Sequence, residues 1–184
     1  MKKPTAAQAA QFVFFLALAV LTDRYAFNIE NMEHLSFQFL ALGLCGALLG
    51  PAAGAVCAVL SDLVGMAMGW GAPFFIGFTI SAALRGGLYG MGLYHTPITF
   101  RRCLLVEAVV SLGVDLLLAT FWFALFGHVF WWQVFVFRLP LVLVEFPVKA
   151  YLLYYLIKKL IEHGHWPRHA EAHADPHAEA GAAA

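Results

Sequence analysis

Six ionisable side chains stand where the surrounding sequence is almost wholly apolar: Asp62, Arg85, Asp115, Arg138, Glu145 and Lys149. A charge in such a stretch is costly unless it meets an opposite charge or a wet cavity. Residues of this kind therefore mark either ion pairs that fix packing or a site for a polar guest. A guanidinium offers paired N–H donors to a carboxylate, and a carboxylate accepts from the amino and ring N–H groups of a nitrogen-rich heterocycle. Two arginines and two aspartates thus suit a molecule with an anionic tail and a flat, donor-rich ring. The same residues also allow plain buried pairs, Asp62 with Arg85 or Asp115 with Arg138. Glu145 and Lys149, spaced i to i+4, are placed to neutralise each other on one helical face.

The elements that must hold these groups are membrane helices. Of 184 residues, 62% are hydrophobic, against 11 basic and 11 acidic side chains, and the mean hydropathy is +0.78. So few charges exclude a nucleic-acid surface, which needs clustered Lys and Arg. Apolar stretches run over about 8–27, 35–49, 51–68, 78–94, 103–126 and 131–160. They predict an all-α membrane protein of six helices at roughly 20 residues each. Gly50 and Pro51 break spans two and three with almost no loop. Lys2, Lys3, Arg101, Arg102, Lys158 and Lys159 then share one side, which predicts cytoplasmic termini. At about 1.5 Å per residue, Arg85 and Arg138 fall about 10 Å in from the outer ends, with Asp62 and Asp115 nearer the midplane. The expectation is a pocket open to the outside, cations above carboxylates.

The connections carry less. The loop 69–77 is outward-facing and glycine-punctuated, and its Trp70, Phe74 and Phe75 suit either an interfacial aromatic belt or stacking on a heterocycle. Pro140 and Pro147 predict a bent sixth span. Cys45, Cys57 and Cys103 are odd in number and lack metal-ligand spacing, so they read as packing residues. Residues 162–184 form a His- and Ala-rich segment, expected to be a disordered cytoplasmic tail outside the 1–161 membrane domain. Its His165, His169, His173 and His177 recur every four residues, a spacing that would stack imidazoles for a divalent ion if the segment were helical. No cofactor, metal or catalytic site is expected.

Several stretches together resemble a known family. They are Phe37-Gln38-Phe39-Leu40, Gly50-Pro51-Ala52-Ala53-Gly54, Ser61-Asp62-Leu63-Val64-Gly65, and the run from Gly77 through Ser81 and Leu84 to Tyr89-Gly90. With Arg24 closing span one, and Arg138 followed by Pro147 in span six, this order is similar to the folate-family substrate-binding (S) components of energy-coupling factor (ECF) transporters. The resemblance covers about residues 10–160. It implies a non-enzymatic subunit in the bacterial cell membrane that captures a vitamin from outside, folate favoured. Delivery inward would require a transmembrane coupling subunit and two ATPases. The implied substrate site is Arg24, Asp62, Arg85, Asp115 and Arg138, with Trp70, Phe74, Phe75 and Tyr89. Ala6 and Ala10 have the Ala-xxx-Ala spacing by which such components dock their coupling subunit through close helix approach.

Three other readings compete. The guest would be another vitamin or a queuosine precursor; or the chain would be a six-helix scaffold of the cell-wall morphogenesis type, with no pocket; or His95 or His128 with Asp115 would serve an intramembrane enzyme. The two histidines fall at opposite ends of neighbouring spans, which disfavours the last.

Overall fold

A computed structural model describes residues 6–24, 27–29, 33–35, 37–69, 76–127 and 130–162. The chain forms α1 (Ala6–Arg24), a hairpin of β1 (Phe27–Ile29) and β2 (Glu33–Leu35), α2 (Gln38–Leu49), α3 (Pro51–Ala67), α4 (Ile76–Leu93), α5 (Phe100–Ala108), a π-helical segment (Val109–Leu118), α6 (Ala119–Gly127) and α7 (Trp131–Glu162). Because α5, the π segment and α6 follow without interruption, the helices among the described residues amount to six rods. The all-helical expectation holds for the rods. It is corrected in the connection between the first two, where Phe27 pairs with Leu35 and Ile29 with Glu33 in a short antiparallel ladder.

Local chemistry explains the breaks. Gly50 takes φ +93°, a left-handed value that glycine adopts at no steric cost. Pro51 follows at the first helical position, where its missing N–H costs nothing. A single residue therefore turns α2 into α3. The α4–α5 turn passes through His95 at φ +52°, and Thr99 caps α5 by accepting from the Arg102 backbone N–H at 3.3 Å. Pro140 and Pro147 lie inside α7, and the helix continues through both. In the π segment the Ala119 N–H reaches back five residues to the Val114 carbonyl.

Helices α2, α3 and α4 meet backbone to backbone. A Cβ added at Gly54 would strike the Gly86 carbonyl oxygen, one at Gly86 the Gly54 carbonyl, and one at Gly90 the Pro51 backbone. Small residues at this spacing let the backbones approach into direct van der Waals contact. The apolar core adjoins this seam, with Phe15, Ala19, Leu42, Cys45, Cys57, Leu93, Leu153 and Ile157 buried together. All three cysteines are buried and free. The outer face is apolar too: Phe14, Leu105, Phe137 and Val144 are each more than 60% exposed. Such a surface suits hydrocarbon, in which every backbone group is satisfied within its own helix. Among the described residues, two stretches are long and apolar enough to cross a membrane, 6–23 and 100–125; α2 and α3 are shorter apolar helices.

Candidate ligand site

The polar residues of the interior gather where α4 faces the α5–α6 rod. On α4, Ser81, Arg85 and Tyr89 recur every four residues and so share one face. Opposite them, Glu107 and Ser111 are also four apart, and Asp115 is four beyond. Eight residues of regular α-helix would rotate Asp115 about 80° away from Glu107. The wider π turn winds that drift back, which keeps both carboxylates toward α4.

Three layers result. In the middle one, Arg85 Nε and Nη2 both donate to Asp115 Oδ1, at 3.0 and 2.6 Å. This pair is not sealed, since 27% of the Arg85 side chain and 17% of Asp115 stay accessible. Both bonds leave from one edge of the guanidinium, so Nη1 is turned away from Asp115. One turn along α4 toward α5, the Tyr89 hydroxyl donates to Glu107 Oε2 at 2.8 Å, and Ser111 Oγ donates to Glu107 Oε1 at 3.2 Å. Here Tyr89 and Glu107 are both wholly buried. One turn the other way, Trp122 Nε1 donates to Ser81 Oγ at 3.1 Å.

Asp62 belongs to a different corner. It accepts from Thr79 Oγ1 at 2.9 Å, across the α3–α4 contact. Five residues separate it from the end of α3 at Ala67, and nine separate Arg85 from the start of α4 at Ile76. At about 1.5 Å per residue, Asp62 is nearer that end of the bundle than Arg85 is. The expected layering of cations above carboxylates is therefore corrected: one carboxylate lies above the arginine and one beside it. Neighbouring Ser61 accepts from Gln38 Nε2 at 3.3 Å, which brings α2 into the same corner.

Of the two ion pairs that the sequence allowed, neither forms as written; Arg85 takes Asp115. Arg138 is 7% exposed, with its guanidinium carbon 5.3 Å from the centre of the Phe123 ring. Lys149 and Glu145 do pair, at 2.8 Å. Ala6 and Ala10 are exposed on α1. Trp70, Phe74, Phe75, His128, the side chain of Arg24 and the His-rich segment lie outside the described residues. Glu107, Ser111, Ser81, Thr79 and Trp122 were missed by sequence reasoning. The repeat of polar residues every four positions on two successive spans was the signal that would have found Ser81, Glu107 and Ser111; Thr79 and Trp122 stand outside it. Among the described residues no group of three or more His, Cys, Asp or Glu side chains converges on a metal position.

No family model matches the chain. It is 26% identical over 141 residues to the folate transporter FolT of Clostridium novyi (strain NT), which covers 77% of this chain and 82% of that one. It is 25% identical over 160 residues to the folate transporter FolT of Leuconostoc mesenteroides subsp. mesenteroides, covering 82% and 86%. A crystal structure of FolT bound with folic acid superposes with a TM-score of 0.78 at 28% identity, over 84% of this chain and 95% of that one. The chain is similar to folate-family S components in both sequence and fold. The relatives are named as transporters, which makes this a membrane protein and a non-enzymatic one.

Proposed function

We propose that this chain is the substrate-capture subunit of an ECF-type importer of the bacterial cell membrane and that its guest is folate. The observation that carries this is the contrast inside one polar seam: Glu107 is closed over completely, whereas the Arg85–Asp115 pair one turn away stays partly accessible. A pair that meets a guest has to stay reachable, and this one does, whereas full closure would only add the cost of stripping both charges of solvent. The likeness to a FolT bound with folic acid supports the identity of the guest.

In this reading six spans cross the bilayer with both termini in the cytoplasm, residues 1–161 form the membrane domain and 162–184 a cytoplasmic tail. The end carrying Asp62 faces outward. Asp115 orients Arg85 and leaves Nη1 for a glutamate carboxylate of folate; Asp62 accepts from ring N–H groups; Arg138 and Arg24 add positive charge. Trp70, Phe74 and Phe75 stack on the ring system, and Tyr89 supports the site from beneath through Glu107. Docking to a transmembrane coupling subunit uses the Ala6–Ala10 face of α1, with two ATPases driving release.

Mass spectrometry of small molecules that co-purify with the detergent-solubilised protein tests the guest directly. A bound pterin is the expected result. A different vitamin would remove folate, and a protein that is stable and empty after growth in folate would favour the scaffold reading.

A further inference from the structure

We propose that the recess between the end of α4 and the start of α5 binds the phosphate of an anionic membrane phospholipid. The recess measures about 420 Å³, and its lining includes Gly92, Pro97, Thr99, Arg101, Arg102 and Leu105. It lies at the opposite end of α4 from Asp62 and shares nothing with the ligand site. Arg102 is held across it, Nε donating to the Gly92 carbonyl at 2.9 Å. Arg101 is exposed beside it. Among the described residues no carboxylate pairs with either guanidinium. A ring contact of 5.8 Å between Phe100 and Tyr154 packs α7 against the start of α5, and Lys158, one turn beyond Tyr154, faces Glu162 at 3.9 Å.

The surface that leads away from the recess argues for a lipid rather than a soluble phosphate ester. Arg101, Leu105 and Val109 recur every four residues along one exposed face, with Leu105 67% and Val109 54% exposed. A cation at the helix end, followed by two apolar turns, matches a headgroup followed by an acyl chain. Basic recesses between helices at a membrane surface recognise lipid phosphates through this combination. The proposal rests on the membrane reading above and is independent of which vitamin is carried.

The test uses the full-length protein in nanodiscs holding equal phosphatidylglycerol and phosphatidylcholine, with retained lipids counted by native mass spectrometry. The wild type should keep phosphatidylglycerol in preference, and Arg101→Gln should cut that preference about fivefold, the effect expected of one basic side chain near anionic lipid. Arg101 is exposed, so the variant keeps its fold; Arg102→Lys, which retains charge, should keep the preference. An unchanged preference in Arg101→Gln overturns the proposal, as does displacement by glycerol 3-phosphate at matched concentration, which would indicate a soluble ester. Folate titration of the same samples separates the two readings. Failure of the wild type to bind folate sinks the capture reading alone, and loss of lipid selectivity with intact folate binding assigns the recess.

Discussion

Helix α4 has two faces that solve the problem of packing in lipid in opposite ways. Toward α2 and α3 it presents Gly86 and Gly90, and the contact is backbone on backbone with no room for a methyl group. Toward the α5–α6 rod it presents Ser81, Arg85 and Tyr89, and the contact is made by hydrogen-bonded side chains. Lipid tails are as apolar as leucine, so neither seam draws on water expulsion. Close van der Waals approach fixes the first. In the second, the Arg85–Asp115 pair stays partly accessible while Tyr89 and Glu107 are buried. One side of the helix is a close-packed frame and the other a polar seam.

The strongest way to break this contrast is to place a large side chain in the glycine seam. Gly86→Leu should abolish the folded protein in detergent, because the new atoms meet the Gly54 carbonyl and the Ala58 Cβ; Gly86→Ala, the minimal case, should cost about 1–3 kcal/mol in thermal or denaturant melts. In the polar seam, Tyr89→Phe leaves a buried carboxylate oxygen of Glu107 without its donor and should cost a similar ~1–3 kcal/mol, with folate affinity falling less than in the Arg138 variant because the support is indirect. Arg138→Ala, by contrast, should weaken binding of a carboxylated vitamin more than about tenfold, the scale of one charge-assisted hydrogen bond, while the melt shifts less than for Gly86→Ala. The smallest effect belongs to Gly113→Ala. Its Cβ would meet nothing within 4 Å, so the melt should move by less than about 1 kcal/mol, toward stability if at all. A large loss there would mean that the π segment, and not the glycine seam, is the rigid element.

Much of this was legible in the residues. Continuous apolar stretches announced the rods, the Gly50-Pro51 step announced the turn between α2 and α3, and the i to i+4 spacing of Glu145 and Lys149 announced their pair. Arg85 and Asp115 were both named, but their partnership was not readable, since it depends on how α4 faces the fifth rod and on the π turn that brings Asp115 round. No residue pattern encodes that extra winding. Glu107 was readable and was overlooked: it stands one turn into an apolar span, four residues before Ser111. The depth of Asp62 was misjudged although its span ends at Ala67, one residue from the expected 68; six residues from that end already placed it no deeper than Arg85, and α4 begins two residues earlier than the apolar run suggested, which sets Arg85 deeper still. The short hairpin between α1 and α2 had no alternating pattern long enough to signal it.

The central claim is that Arg85 is held by Asp115 for a guest rather than for the fold. Calorimetric titration of folate into purified wild-type and Arg85→Gln protein, each first shown by its melt to be folded, tests this most directly. Saturable one-to-one binding by the wild type, weakened more than about tenfold in the variant, is the predicted result. Equal affinity in both proteins, or no uptake of heat by a folded wild type, would contradict it.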